Sequence, residues 1–349
     1  MNKKNLLSIL DRINKDDGGS KKRSLHFNSK VFIVDGMNTF IRSFAVDNHH
    51  DRHGNHIGGI SGFLKSLGSA IKMINPTRCI IVFDGEGGTT NRRYLYPDYK
   101  KNRDHSDRIV NWKSFSSQEE EHHSKKNEIG RLIDYLQMLP VTLVSIDKME
   151  ADDVMSYIAG KIYSEYDDSN ICIYSTDKDF FQLVNDRIYV FSPTKKRHYY
   201  EDDILKEYGV HPRNYLLYKC LLGDDSDNIH GITGIGEKKV LSLFPNLASK
   251  ETQGVQYLYE TCENPPKNSV LYDRVLQGKH IVDLNYKIMD LINMNISEEQ
   301  MEEIDQEILV KPKPLSKYDF IKIFHSDGMG SAILNIDSLL NTFGTLNSY

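Results

Sequence analysis

Nine acidic residues recur at the ends of apolar stretches of this chain, and no histidine or cysteine is adjacent to any of them. Carboxylates gathered in one place repel one another and resist ionising together, so a cluster of this size implies neutralising cations. A ligand set made only of oxygen atoms suits hard cations such as Mg²⁺ or Mn²⁺. The predicted chemistry is metal-assisted phosphoryl transfer. The candidate ligands are Asp35, Asp84, Glu150, Asp152, Asp153, Asp177, Asp179, Asp224 and Asp227.

The elements that must position these acids follow from hydrophobic periodicity. Four short apolar runs rich in β-branched residues predict buried parallel strands at residues 31–34, 79–83, 141–146 and 171–175. Between them, helical periodicity occurs at residues 60–74, 128–138 and 151–163. This alternation predicts an α/β fold with a doubly wound sheet. The acids then lie where strands end or helices begin, and such positions line the ligand crevice of an open sheet.

Each acidic spacing also has an ordinary explanation. Acids at 150–153 could cap a helix, the 177 and 179 pair could form an Asx turn, and the acidic stretch 223–228 could be a solvated or calcium-binding loop. Capping accounts for one or two acids at one helix, but not for three further strands that also end in acids. Metal ligation therefore explains the set better.

A glycine-rich stretch follows at residues 231–239. Gly234 and Gly236 would let backbone amides approach a phosphate closely, and Lys238 and Lys239 would add positive charge beside it. Because no βαβ unit follows, the pattern argues against a dinucleotide fold and favours a helix-hairpin-helix grip on a DNA backbone.

Residues 92–103 interleave cations with aromatic side chains, a composition suited to threading single-stranded nucleic acid. The alternative is an exposed basic amphipathic helix. Residues 104–127 are polar, contain the only tryptophan, Trp112, and are interpreted as a mobile arch or clamp.

Taken together, six motifs resemble the 5'-nuclease family, in family order over about residues 31–290: VDGMN, FDGEG, YPDYKKNRD, EADD, STDKDFFQLV and GDDSDNIHGITGIGEKK. That family includes flap endonucleases, the 5'-3' exonuclease domain of bacterial DNA polymerase I, and stand-alone phage ribonuclease H of the T-even type. The resemblance implies a PIN-like (resolvase-like), mostly parallel sheet flanked by helices, followed by a helix-hairpin-helix subdomain and a helical C-terminal extension.

The resemblance also implies roles for individual residues and two bound Mg²⁺ ions, for which Mn²⁺ could substitute. Lys100 and Arg103 match catalytic cations at the base of the arch, beside Tyr99, and Arg42 is a weaker match for the same contact with the nucleic acid. A monovalent cation is an expected ligand of the glycine hairpin. The metal ligands match in two clusters, Asp35, Asp84, Glu150 and Asp152 in the first and Asp177, Asp179 and Asp227 in the second, while Asp153 and Asp224 match acids of the phage and bacterial branches.

The implied activity is a metal-dependent, structure-specific 5' nuclease that removes flaps and RNA primers during DNA replication and leaves 5'-phosphate and 3'-hydroxyl ends. Expected substrates are DNA with a 5' single-stranded flap and RNA–DNA duplex with a 5' end, and the sequence does not choose between them. Partners to expect are a sliding clamp or a single-stranded-DNA-binding protein, and the enzyme itself is expected to be a monomer.

Two rival functions remain. A catalytically silent DNA-junction binding protein would keep the fold and lose motif acids, yet none of these acids is missing. A PIN-type ribonuclease would share the acidic core but usually lack the glycine hairpin, so residues 223–245 argue against it.

Composition sets the remaining expectations. The chain has 349 residues, a formal net charge of -5, and four widely spaced cysteines, which suggest neither a zinc site nor disulfides. A cytoplasmic protein without a membrane span is expected, in the host cytoplasm if the chain is phage-encoded. A histidine-rich loop at 49–56 is interpreted as solvated and not as a zinc site.

The expected domains are a tail (1–28), a nuclease core (29–205) with the arch at about 92–127, a helix-hairpin-helix subdomain (206–290) and a C-terminal helical extension (291–349).

The N-terminal tail has an amphipathic pattern over residues 3–13, with Leu6, Leu7, Leu10 and Ile13 on or near one face. Such a segment could dock a replication partner. It could equally be a frayed or core-packed terminus.

Overall fold

The computed structural model describes residues 26–104 and 108–348. The predicted tail with its Leu6, Leu7, Leu10 and Ile13 pattern lies outside the described residues up to position 25, and so do residues 105–107 of the predicted arch.

A six-stranded sheet forms the centre of the protein and confirms the predicted fold class. Its strands are β1 (Lys30–Asp35), β2 (Arg78–Val82), β3 (Thr142–Val144), β4 (Asn170–Tyr174), β5 (Ile188–Ser192) and β6 (Arg197–Tyr199). The spatial order is β3-β2-β1-β4-β5-β6, and every pairing is parallel except that of β5 with β6. The four predicted strands are present, whereas β5 and β6 were not predicted.

Helices surround this sheet and continue beyond it. Those within the sheet region are α1 (Gly36–Val46), α2 (Gly58–Ile74), α3 (Thr90–Leu95), α4 (Lys101–Asp104), α5 (Gln118–Leu136) and α6 (Ala151–Glu165). Those that follow are α7 (Glu201–Tyr208), α8 (Tyr215–Leu222), α9 (Glu237–Leu243), α10 (Val255–Glu263), α11 (Val270–Gln277), α12 (Lys279–Met289), α13 (Glu298–Leu309), α14 (Lys317–Ser326) and α15 (Ile336–Gly344). A short hairpin of β7 (Gly223–Asp224) and β8 (Ile229–His230) lies between α8 and α9. None of the helices among the described residues is both long and apolar enough to cross a membrane.

Side chains along β1 alternate between two buried clusters, because successive residues of a strand point to opposite faces of the sheet. Val31 and Ile33 join a cluster with residues of α6, α8, α12 and α13. Phe32 and Val34 join a second cluster with residues of α1, α2, α5, α14 and α15. The predicted C-terminal extension therefore contributes to both faces of the sheet.

Helix α5 begins ten residues earlier than the periodicity predicted. Ser117 caps it by accepting a hydrogen bond from the Glu120 amide at 3.2 Å, and three glutamates occupy its first turn, where acids are favoured by the helix dipole. Residues 118–127 of the predicted arch are thus helical. Hydrophobic periodicity missed these ten residues because their side chains are polar or charged.

Candidate metal centre and nucleic-acid interface

Asp35 links a strand end to a helix start. It is the last residue of β1 and caps α1, and its Oδ1 accepts a hydrogen bond from the Asn38 amide at 2.9 Å. Its Oδ2 accepts one from the Ser175 hydroxyl, just beyond β4, at 2.9 Å. Burial raises the pKa of Asp35 to about 7, and the charges of Asp177 and Asp84 add to this effect. The ends of β1 and β4 therefore meet at this carboxylate, and Asp84, which follows β2, is near enough for its charge to act on Asp35.

The start of α6 brings three more acids together. Glu150, Asp152 and Asp153 each offer a carboxylate oxygen, and these oxygens lie within 4.8 Å of one another. Asp84, which follows β2, accepts a hydrogen bond from the Ala151 amide at 2.8 Å and so lies against the same helix start. Burial raises the pKa of Asp84, and the negative charges of Asp152 and Glu150 also favour its protonated form.

The remaining acids come from the β4 exit and the β7–β8 hairpin. Burial raises the pKa of Asp177, and the charges of Asp152 and Asp227 reinforce the shift. Burial and then the charge of Asp177 raise the pKa of Asp179 to about 7. The charge of Asp224 also acts on Asp179, and the charges of Asp224 and Glu150 act on Asp227. Acids of different segments therefore lie close enough to influence one another, and the nine predicted ligands occupy one electrostatic environment at one edge of the sheet.

Lys100 and Arg103 reach into this environment. The Lys100 ammonium pairs with Glu150 and lies 3.9 Å from Asp227, and the Arg103 guanidinium pairs with Asp227. The Lys100 backbone has a φ of +55°, an uncommon value for a residue with a side chain, and its amide donates to the Asp227 carbonyl at 2.9 Å. The two cations are therefore held directly over the carboxylates.

Arg92 does not lie on the exposed surface that residues 92–103 were predicted to offer to single-stranded nucleic acid. Its side chain is 10 % exposed and donates to both oxygens of Asp153, at 2.9 and 2.7 Å, and to Glu150. Its Nε donates to the Ile288 carbonyl of α12 at 2.9 Å. Arg92 is thus a buried counter-ion that also ties the start of α6 to α12. The sequence could not reveal this, because two arginines are adjacent and either could have turned inward.

Tyr99 also differs from expectation. It is 2 % exposed, so its ring is not available for stacking in this structure, and the predicted contact with nucleic acid does not fit its position. Its hydroxyl lies 3.0 Å from Glu150 Oε2 and 3.3 Å from Asp227 Oδ2. Burial, partly opposed by the charge of Arg92, raises its pKa, so it remains a neutral donor to the carboxylates.

Lys219 was missed by the sequence reasoning. Its ammonium lies 2.8 Å from Asp179 and 2.5 Å from Asp224, and its side chain is 13 % exposed. Burial acts to raise the pKa of Asp224, but the charge of Lys219 and the hydrogen bonds from Lys219 and Ser226 together lower it below its ordinary value. A usable signal existed, because Lys219 is the only charged residue of the otherwise apolar helix α8.

Arg42 lies apart from the cations just described. Its guanidinium donates to the Ser66 hydroxyl at 3.4 Å and lies 5.6 Å from the centre of the Tyr174 ring. Tyr174 ends β4 beside Ser175, the residue that donates to Asp35, so Arg42 belongs to the same edge of the sheet.

The glycine hairpin is formed as a loop leading into α9. Gly234 has a φ of +86°, which requires glycine, and its carbonyl accepts a hydrogen bond from Lys239 at 3.0 Å. Gly236 caps α9 with open space beside it, and Lys238 is exposed. The loop can therefore present backbone amides and positive charge to a phosphate.

The carboxylate oxygens of this site are suitable ligands for divalent cations. Within the described residues, nine carboxylates meet four nearby cations, so an excess of negative charge remains for hard cations to neutralise. Asp179 Oδ1 is buried and accepts no hydrogen bond of good geometry, although the Lys219 ammonium is 2.8 Å away. The electrostatics favour a ligand-binding centre over simple helix capping.

Comparisons with known proteins agree with this geometry. Residues 30–209 match the sequence profile described as "5'-3' exonuclease, N-terminal resolvase-like domain". The 5'-3' exonuclease of Aquifex aeolicus is 29% identical over 277 residues, which cover 78% of this chain and 86% of that protein. The thermostable DNA polymerase I of Thermus thermophilus is 31% identical over 224 residues, covering 64% of this chain and 24% of that protein. Among solved structures, a bacteriophage T5 flap endonuclease in complex with DNA and metal ions has a TM-score of 0.65 at 21% identity, covering 80% of this chain and 98% of that one, and shares the fold.

Proposed function

This chain belongs to the 5'-3' exonuclease family and is a nuclease acting on phosphodiester bonds, and from that premise we propose a structure-specific 5' nuclease with a two-metal mechanism. Its proposed substrates are DNA with a 5' single-stranded flap and RNA–DNA duplex with a 5' end. The observation that carries the proposal is the convergence of nine carboxylates from five segments at one edge of the sheet, where Lys100 and Arg103 pair with Glu150 and Asp227.

The carboxylates divide into proposed ligands of two divalent cations, with Mg²⁺ as the first choice. When bound, such a pair of ions activates the attacking water and stabilises the leaving oxygen. Asp153 accepts hydrogen bonds from two nitrogens of Arg92, and the two oxygens of Asp224 accept from Lys219 and Ser226, so we assign these two acids to orienting the neighbouring ligands. The proposed ligands are Asp35, Asp84, Glu150 and Asp152 for one ion and Asp177, Asp179 and Asp227 for the other.

Lys100 and Arg103 are proposed to bind the scissile phosphate. Both are paired with carboxylates, and a phosphate placed above Glu150 and Asp227 would offer them a stronger anionic partner once divalent cations neutralise those acids. Tyr99 would hold Glu150 and Asp227 in place from beneath through its hydroxyl.

The glycine hairpin is proposed to grip the duplex part of the substrate. Amides around Gly234 and Gly236 would contact backbone phosphates, and the exposed Lys238 would strengthen this contact without reading the base sequence. A monovalent cation at the loop carbonyls remains part of this proposal, although Arg274 and Lys239 donate to the carbonyls of Thr233 and Gly234. Primer removal during replication, with a sliding clamp or a single-stranded-DNA-binding protein as partner, is the proposed setting.

The direct test is cleavage of a 5'-labelled flap DNA and a matched RNA-primed duplex, each with Mg²⁺ and with EDTA at fixed salt. We expect release from the 5' end that requires the metal, and the ratio of the two rates gives the preference between flap trimming and primer removal. Binding without cleavage in Mg²⁺ would instead identify a junction-binding protein. Cleavage of single-stranded RNA without preference for a junction would identify a PIN-type ribonuclease.

A further inference from the structure

An exposed tryptophan lies at the tip of a turn on the segment that follows the arch base. Trp112 is 73 % exposed and is the only tryptophan of the chain. Its neighbours in the turn are buried, with Asn111 1 % and Phe115 7 % exposed. A single exposed apolar side chain is common on protein surfaces and has no meaning by itself. The way in which this turn is held makes Trp112 different.

Asn111 fixes one end of the turn. Its side-chain amide donates to the Phe44 carbonyl of α1 at 2.8 Å, and its backbone amide donates to Glu121 of α5 at 2.6 Å. The Ser114 amide closes the turn by donating to Asn111 Oδ1 at 3.2 Å. The backbone beneath Trp112 is therefore attached to two different helices.

Phe115 fixes the other end. Its ring stacks on Phe44 with a centroid distance of 5.4 Å and meets His56 edge-on at 5.2 Å. His56 is itself buried and hydrogen-bonded to Glu128 of α5 at 2.6 Å. Fixing both ends in this way leaves only Trp112 and Lys113 at the tip, where a turn ordinarily carries small polar residues. These anchors hold the turn in place, whereas most of the Trp112 side chain is exposed.

The surroundings of Trp112 favour nucleic acid as its ligand over an apolar protein surface. The Lys113 ammonium lies 5.7 Å from the centre of the indole ring, which gives the tip a cation beside an aromatic face. Arg108 is exposed four residues before Trp112. Trp112 is nine positions after Arg103, so the Cα atoms of these two residues are at most about 32 Å apart. A rigid aromatic ring with adjacent cations is the arrangement on which unpaired bases stack.

We propose that Trp112 is a stacking contact for the single-stranded 5' part of the substrate, and this proposal rests on the nuclease function proposed above. A base in a duplex is already stacked on both faces and cannot engage the ring, whereas an unpaired base can. Trp112 therefore distinguishes substrates with a 5' single strand from blunt duplexes.

The test uses the fluorescence of this single tryptophan, which reports on Trp112 alone. The full chain in EDTA is titrated with a flap DNA that has an oligothymidine 5' strand and, separately, with the matching blunt duplex, while the anisotropy of a dye on the duplex end measures binding. We expect the flap to quench the emission and the blunt duplex to leave it unchanged at equal saturation. Unchanged emission at saturating flap DNA would overturn the proposal and leave a protein partner as the better explanation for the exposed ring.

A variant series separates stacking from other effects. Trp112→Ala should weaken flap binding by about 5- to 150-fold, the loss expected for one base–aromatic stack, and Trp112→Phe should retain much of the affinity. Tyr318→Ala is the matched control, because Tyr318 is 78 % exposed on α14 and should leave flap affinity unchanged. Equal flap affinity of Trp112→Ala and the parent chain would overturn the proposal. If the anisotropy shows that the parent chain does not bind flap DNA at all, the proposed nuclease function is contradicted. The quenching measurement tests only the role of Trp112 and not that function.

Discussion

The two sides of the carboxylate site are neutralised by different buried cations. On the Arg92 side, a planar guanidinium donates to Asp153 through two nitrogens, to Glu150, and to the Ile288 carbonyl. On the Lys219 side, an ammonium bridges Asp179 and Asp224, and the described contacts of its Nζ join these two acids alone. Arginine fits a carboxylate with a rigid fork, whereas lysine is a point charge on a flexible stem.

This difference suggests that Arg92 and Lys219 have different roles. Arg92 joins α6 to α12, so it belongs to the architecture as well as to the charge balance. Lys219 makes no comparable described contact with a backbone carbonyl, so its ammonium can be replaced by another cation at lower cost. We therefore expect the Arg92 side to govern stability and the Lys219 side to govern metal binding and chemistry.

The largest expected effect is that of Asp177→Asn on the Lys219 side. The substitution preserves size and removes one ligand charge, so turnover in Mg²⁺ should fall to about 1% of the parent value or less, with flap binding in EDTA retained. Asp225→Asn is the matched control, because Asp225 is an exposed acid in the turn that also carries Asp227. Near-normal turnover of Asp177→Asn would refute its role as a ligand.

On the Arg92 side, Arg92→Met should lower the free energy of unfolding by about 3 to 5 kcal/mol, because it leaves buried carboxylates without their cation. Urea unfolding in EDTA measures this effect. Arg108→Met, at an exposed position, should change stability by about 0.5 kcal/mol or less. A similar small change for Arg92→Met would show that Arg92 does not hold the architecture.

Lys219→Met should destabilise the protein less than Arg92→Met and should strengthen Mn²⁺ binding, because it removes a cation that competes for Asp179 and Asp224. Calorimetric titration with Mn²⁺ measures the affinity of each variant. Weaker Mn²⁺ binding by Lys219→Met would mean that the lysine orients the ligands and does not compete with the metal.

A pH dependence is expected on both sides of the site. Burial raises the pKa of Asp35, Asp153 and Asp179 to about 7, from ordinary values near 3.8. Between about pH 4 and 7, the folded state then holds protons that the unfolded state has released, so stability rises as the pH falls through this window. The melting temperature in EDTA should therefore increase from about pH 7.5 to about pH 5.5.

Divalent cations should remove most of this trend, because they favour the ionised carboxylates in the folded state. Thermal scans with and without Mg²⁺ test this. A melting temperature in EDTA that falls over the same acidification would contradict the raised pKa values.

Much of the fold was predictable from local pattern. Apolar runs at 31–34 and 171–175 became β1 and β4, and the helical periodicity at 151–163 became α6, because the repeat of a buried face depends only on neighbouring residues. Strand β6 and the first ten residues of α5 escaped because they are short or largely polar. Strand β5 was missed although its sequence, IYVFS, is an apolar run of the kind that predicts a buried strand.

The sequence by itself determined which acids could form the site, because Asp35, Asp84, Glu150 and Asp177 stand where strands end or a helix begins, and such ends meet at one edge of a parallel sheet. Only the tertiary structure decided how those acids are neutralised. The inward turn of Arg92 and the bridge made by Lys219 join residues far apart in the chain, and no local spacing specifies which cation approaches which carboxylate. Buried charges need partners, and long-range packing determines where those partners come from.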